Sequence, residues 1–355
     1  LCFTIIRYEH LHAHLSHDAC GSGPQKFHVS PTPRIGGVSI ILGFLAGYVA
    51  IYKISGEQAP FEFFLLLAAA MPAFLGGLIE DLTKQVGVAQ RLVLTMLSGV
   101  CGVFLVDALL ARTGLPGLDS LLLWMPFAIC FTAFAVGGVA NSINIIDGYN
   151  GISAGFGIMA SLAFGYVAAQ NGDSFLLYSN LVMAGALAGF LGWNWPSGKI
   201  FLGDGGAYLL GFWLAEMGIL IIDRNPHVSV WFPMAVMIYP VFETLFSIYR
   251  RKFKHQKHIG HPDSNHLHQL IYKRLIKTGA GSKDPVLKLS RNSGVAPYIW
   301  LFNVGFCALA AWGWHCDNLM LALCGLFCVA YVMSYWQLSA LRSSIFIRFL
   351  QKRSR

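Results

Sequence analysis

The chain has 355 residues, 55% hydrophobic and only 12% charged, with a mean hydropathy of +0.58 and a formal net charge of +8. A soluble domain carries about 25% charged residues, so a large soluble enzyme built from buried core helices is excluded. The positive charge is no nucleic-acid signal either, and no nucleic-acid partner is expected, because 22 of the 25 Lys and Arg residues fall in alternate segments between apolar stretches.

Ten apolar spans are predicted, at 35–52, 61–79, 92–110, 121–140, 152–170, 175–193, 206–222, 229–249, 296–314 and 319–338. Each is about 18–21 residues, enough for a helix across a hydrocarbon core of ~30 Å. The segments rich in Lys and Arg are 1–34, 80–91, 194–205, 250–295 and 339–355, while the opposite connections hold only Lys53, Arg112 and Arg224. By the positive-inside rule the first set, with 141–151, is cytoplasmic. Leu1–Ile6 reads as the end of an apolar stretch, so an eleventh span is expected upstream. The expectation is an all-α polytopic membrane protein, one integral-membrane domain over 1–355, with a long loop at 250–295 and a basic tail at 339–355 that meets anionic lipid headgroups.

The polar motifs cluster on the basic face. Lys26 and His28 precede Pro31–Gly37 (PTPRIGG), which includes Arg34; prolines and paired glycines make a stiff turn that lets backbone approach a ligand. Glu80-Asp81 closes the second span, where adjacent carboxylates need a partner, solvent or a cation. Asn141, Asn144 and Asp147 are spaced to share one helix sector at the end of the fourth span, and Gly148 and Gly151 then break the helix. Asn194–Gly206 (NWPSGKIFLGDGG) sets Asp204 between glycines before a helix, where a carboxylate can hold Mg²⁺. An N-cap aspartate accounts for Asp204 alone, but not for Asn194, Lys199 and the glycines together. The loop Arg250–His268 carries five histidines among Arg250, Arg251, Lys252, Lys254 and Lys257, a field that repels zinc and attracts a diphosphate. Asn265–Lys277 has the spacing of a short amphipathic helix at the membrane surface. Asp107, Glu216 and Glu243 lie inside apolar spans, where structural hydrogen bonding or a boundary site is expected.

Taken in order over roughly residues 26–275, these motifs resemble the polyprenyl-phosphate N-acetylhexosamine-1-phosphate transferases, which start bacterial O-antigen, teichoic-acid and peptidoglycan lipid intermediates. The resemblance implies ten or eleven membrane helices in the bacterial inner membrane and an active site facing the cytoplasm. It also implies a UDP-N-acetylhexosamine donor, undecaprenyl phosphate as acceptor, Mg²⁺ (or Mn²⁺ as a substitute) and UMP as by-product. Carried over position by position, Lys26 and Arg34 lie near the lipid phosphate, and Glu80 and Asp81 match the acidic pair. Asn144, Asp147 and Asn150 match a nucleotide-binding element. Asn194 and Asp204 match the next one, with Asp204 the metal ligand, while His261, His266 and His268 hold the diphosphate. Glu80, Asp81, Asp147 and Asp204 form the implied catalytic set. Glu80 stands for the usual Asp, Asn150 for another Asp, and Gln269 for a frequent third histidine.

N-acetylglucosamine is the default sugar, with galacto and 6-deoxy sugars as alternatives. Direct attack by the acceptor phosphate competes with a phospho-aspartate route, and oligomer formation stays open. A transporter of an anionic substrate predicts polar groups at mid-membrane, and a non-catalytic lipid-binding protein has no need of three intact aspartates.

Overall fold

With no water in a bilayer core to satisfy backbone polar groups, long apolar runs must close their hydrogen bonds internally, and these do so as helices. The structure is a computed structural model that describes residues 1–18, 32–55, 60–254, 265–276 and 285–340. The chain starts with α1 (Cys2–Arg7) and α2 (Glu9–Ser16). A two-residue antiparallel pair follows, β1 (His17–Asp18) against β2 (Thr32–Pro33), which is all the sheet among the described residues. The bundle is then α3 (Gly36–Ser55), α4 (Phe61–Thr83), α5 (Val88–Val106), the short α6 (Pro116–Leu122), α7 (Met125–Ile146), α8 (Ile152–Gln170), α9 (Ser174–Asn194) and α10 (Gly203–Arg224). After it come α11 (Phe232–Val236), α12 (Ile238–Tyr249), α13 (Leu267–Ile271), α14 (Pro285–Ser293), α15 (Val295–Trp312) and α16 (Asp317–Ala340). Both α12 and α13 run on into a π-helical turn, Arg250–Lys254 and Tyr272–Ile276 respectively.

Among the described residues, nine helices are long and apolar enough to cross a membrane. This is a multi-pass membrane protein. The eighth expected span, 229–249, differs: it breaks at Met237 into α11 and α12. Pro240 is the cause, since it has no N–H to donate and its ring clashes with the carbonyl four residues back, at Val236, where α11 ends.

The central element is α10. Every residue from Gly203 to Ile222 is buried, and the helix is ringed by α3, α4, α7 and α8. Lipid tails are as apolar as leucine, so helices associate through close packing and small residues; α10 carries Gly205, Gly206, Ala207, Gly211, Ala215 and Gly218. Glu216 is the exception on this helix. Its carboxylate fills the space that a Cβ on Gly102 of α5 would take. Contrary to the expected hydrogen bonding, neither of its oxygens has a partner among the described residues. Asp107 ends α5 in the left-handed conformation, φ 55°. At the far end of α10, Arg224 pairs with Asp173 at 2.8 Å and Glu62 at 3.4 Å, and Arg112 donates to the Ile222 carbonyl.

Candidate active site at the start of the central helix

The first turn of α10 has orphan N–H groups that need acceptors. Asp81, in the last turn of α4, supplies both: its Oδ1 accepts from Asp204 N–H at 3.0 Å and its Oδ2 from Gly205 N–H at 2.9 Å. The sequence makes this approach possible at two glycines. A Cβ on Gly77, one turn before Asp81, would collide with the backbone of Asp204 and Gly205. Gly203 takes φ +76°, and a Cβ there would strike the Arg34 carbonyl and the Asp81 carboxylate. Asp81 is therefore a cap borrowed from another helix, completely buried, and it fixes where Asp204 points. Its acidic neighbour Glu80 accepts from Val86 N–H at 2.8 Å and so ties down the α4–α5 turn.

Asp204 is the convergence point. Asn144, in the last turn of α7, donates Nδ2–H to its Oδ1 at 3.0 Å. Arg34, just after β2, reaches the same oxygen at 3.4 Å and Asp81 at 3.6 Å. Arg91, in the first turn of α5, ion-pairs with the other oxygen. The sequence reading missed Arg91. Its signal was present: an arginine beside the apolar span 92–110, ten residues after a buried-end acidic pair, needs a counter-charge. Asp147 follows the last residue of α7 as its C-cap and is half-buried. Burial pushes its carboxyl up to about 7; the Ser153 hydroxyl and then Arg34 oppose that shift, while the Asp204 and Asp81 charges add to it. Lys199 turns its ammonium over the Trp193 ring, 5.5 Å from the centroid.

The asparagines divide by what their amides touch. Asn194 is spent on the scaffold: its Oδ1 accepts from Gly151 N–H at 2.6 Å and its Nδ2 donates to the Ile200 carbonyl at 2.8 Å, joining two site loops. Asn150 is buried with its amide against Gly198. Its backbone N–H is held by the Asn292 side chain at 2.9 Å. Neighbouring contacts complete a brace from α14 and α15: Trp195 Nε1–H donates to the Ser293 carbonyl at 2.9 Å, and Trp300 Nε1–H donates to the Gly151 carbonyl at 3.0 Å. Asn292, Ser293 and Trp300 carried no motif signal, because a brace is recognisable only by what it touches. Asn292→Ala leaves the Asn150 N–H without its acceptor, at a cost of about 1–3 kcal/mol. It is expected to lower the midpoint of thermal unfolding in detergent by a few degrees, and an unchanged midpoint would show that the loop holds itself.

Lys26 and His261 lie outside the described residues. His266 and His268 are both buried, their rings stacked in parallel with centroids 5.4 Å apart. His268 reaches the Asp147 loop, its Nε2 lying against Gly148 and its ring 5.7 Å from Tyr149. His266 Nδ1 sits 2.9 Å from Glu243, which thus has the structural hydrogen bond expected of it. Gln269 Oε1 accepts from the His266 N–H at 3.1 Å. The helix expected at 265–277 is present over 267–276, as α13 and its π-helical turn, but residues 267–272 are all buried against α15 and α16. Histidine at two positions and a glutamate beneath them give this helix a polar interior anchor, so it packs inward.

The pattern of glycosyl transferase family 4 matches residues 63–222, the stretch from α4 to α10 that carries Asp81, Asn144, Asp147, Asn194 and Asp204. The chain is 30% identical over 314 residues to a decaprenyl-phosphate N-acetylglucosaminephosphotransferase of Mycobacterium leprae, covering 79% of this chain and 73% of the relative. The chain belongs to glycosyl transferase family 4. The transferase is also 29% identical over 273 residues to a probable undecaprenyl-phosphate N-acetylglucosaminyl 1-phosphate transferase of Bacillus subtilis, covering 74% of this chain and 71% of that one. A Yersinia pestis undecaprenyl-phosphate alpha-N-acetylglucosaminyl 1-phosphate transferase is 24% identical over 344 residues, 93% of this chain and 87% of its own.

Within the transferase the charges at the centre are two guanidiniums and three carboxylates, arranged about one helix start. Among the described residues no three His, Cys, Asp or Glu side chains converge as a metal cage. The donors at hand are carboxylate oxygens, from Asp204 and Asp147. That set suits a hard divalent cation held by one or two carboxylates together with substrate phosphates, and it does not suit a structural zinc.

Proposed function

We propose that the transferase moves a sugar 1-phosphate, by preference N-acetylglucosamine 1-phosphate, from a UDP-N-acetylhexosamine to undecaprenyl phosphate. UMP is released, and the lipid-linked product begins a cell-surface polysaccharide at the cytoplasmic face of the bacterial inner membrane. The observation that carries this reading is the pair Arg34 and Arg91 on one buried-end carboxylate. Arg91 has, besides, a buried Nε with no hydrogen-bond partner among the described residues. Two guanidiniums beside a helix start form a receptor for a diphosphate, and the named substrates of the relatives are polyprenyl phosphates.

In the reaction, an oxygen of the acceptor phosphate forms a bond to the β-phosphorus of the donor. The bond from that phosphorus to the bridging oxygen breaks, and its electron pair leaves with UMP. The barrier is one anion meeting another, so catalysis is chiefly electrostatic. Arg34 and Arg91 move from Asp204 to the incoming diphosphate and offset its charge. Asn144 keeps Asp204 oriented while the arginines are away. Mg²⁺, or Mn²⁺ in its place, would be held by Asp204 with Asp147 and would supply further positive charge on the diphosphate. His266, His268, Lys26 and His261 complete the phosphate environment, and Asn150 the nucleotide's. A phosphate monoester with a second pKa of ~6 is already mostly dianionic at neutral pH, so no strong base is required. Asp81 spends both oxygens on backbone N–H groups, which favours direct displacement over a phospho-aspartate at that residue.

The test is UMP release from purified protein given undecaprenyl phosphate, Mg²⁺ and a panel of UDP-N-acetylhexosamines. Release from one donor, stopped by EDTA and restored by Mg²⁺, is the expected result. Silence from the whole panel would overturn the proposed reaction, and release that survives EDTA would overturn the cation.

A further inference from the structure

We propose that Glu243 is a positioning residue for the phosphate-facing histidines, setting the ring orientation and proton placement of His266 from inside the bundle. The inference rests on the phosphotransfer reading above and deepens it.

Glu243 lies in the first half of α12, in a stretch otherwise uncharged, and it is completely buried. A carboxylate in such a place costs several kcal/mol unless it is paired and hydrogen-bonded. Three contacts tie it to one short segment. Leu267 N–H donates to both oxygens, at 3.2 and 3.4 Å, and His266 Nδ1 lies 2.9 Å from Oε1. The backbone donations mark Glu243 as an acceptor, so the proton of the 2.9 Å contact resides on His266 Nδ1. With Nδ1 committed, the ring's other nitrogen, Nε2, is the one turned to a ligand.

The second half of the arrangement is the stack. The His266 and His268 planes lie 5° apart, and His268 abuts Gly148, the residue after Asp147. Fixing His266 therefore fixes His268, and with it the loop that carries Asp147. Arg250, two turns beyond Glu243, straps the same segment by donating to the Asn265 carbonyl and, at 2.6 Å, to Tyr335 Oη. The titratable groups facing Glu243 are His266, His268, Tyr239 of α12 and Tyr331 of α16, with Arg250 beside Tyr331.

The experiment compares wild type with Glu243→Gln and Glu243→Asp, measuring kcat and KM for UMP release. Alongside it, ¹⁵N NMR of histidine-labelled protein in detergent reads which ring nitrogen of His266 carries the proton. Glu243→Gln is expected to lower kcat about 10–100-fold with little change in KM, and to weaken the preference for a protonated Nδ1, because an amide donates as well as accepts. Glu243→Asp is expected to restore both in part, and it carries the same test if the Gln variant does not fold. Unchanged turnover in Glu243→Gln, or a His266 with Nδ1 unprotonated in wild type, would overturn the proposal. Wild type that releases no UMP from any donor would instead overturn the phosphotransfer reading, and the NMR measurement would still decide how Glu243 acts on His266.

Discussion

Asp204→Asn is expected to lower UMP release by on the order of 10²–10³, the cost of removing one charge-organising group from a preorganised site. The substitution keeps the shape of the side chain and leaves Asp81's bonds to the Asp204 and Gly205 N–H groups intact, so the helix start survives. What it removes is the negative charge that holds Arg34 and Arg91 and that would hold the cation. The two arginines then have no carboxylate at Asp204 to leave when the donor arrives. Affinity for UDP in the absence of metal is therefore expected to stay level or rise while kcat falls. Turnover and UDP binding measured on the same preparation separate these effects. Near-normal turnover would remove Asp204 from the catalytic set, and lost UDP binding with lost turnover would point to a collapsed site.

Gly77→Ala carries a large expected cost outside the charged cluster. The added methyl group would meet the backbone at Asp204 and Gly205, which cannot rotate away as a side chain can. Overpacking of this kind costs about 1–3 kcal/mol. The functional loss is expected to exceed that, because Gly77 and Asp81 stand one helical turn apart on the same face of α4. Pushing α4 off α10 at Gly77 lifts Asp81 from the two N–H groups it caps. A lower midpoint of thermal unfolding in detergent and a loss of UMP release are expected together. A variant with wild-type stability and turnover would show that the helices can separate here without consequence, and would detach Asp81 from the role given to it.

Much of the membrane architecture was legible in the chain, because hydropathy in a bilayer leaves few alternatives to a helix. The exception, 229–249, had its cause in plain view: Pro240 was a helix breaker within a run long enough to span. Asp204, Asp81 and Asn144 were legible as polar residues in glycine-rich helix ends, and the structure brings all three to one point. Their division of labour was not legible. Asp81 and Asn194 looked like ligand contacts, yet each is spent on backbone groups of another element, at α10 and at two loops. A carboxylate or amide has the same sequence signal whether it faces substrate or a helix start.

The partners that only the tertiary structure could supply are those of Arg91, Asn292, Glu243 and Glu216. Each acts, or packs, across more than twenty residues of sequence, on a partner that no local spacing links to it. By itself the sequence determined that this chain crosses a membrane many times and carries its polar, glycine-rich motifs at the ends of apolar spans, since hydrophobicity and charge are local and additive properties. The tertiary structure decided which carboxylate is held by arginines, which is spent on a cap, and which holds the histidines. Those roles depend on distances of about 3 Å between helices, and such distances are set by how glycines let the helices meet.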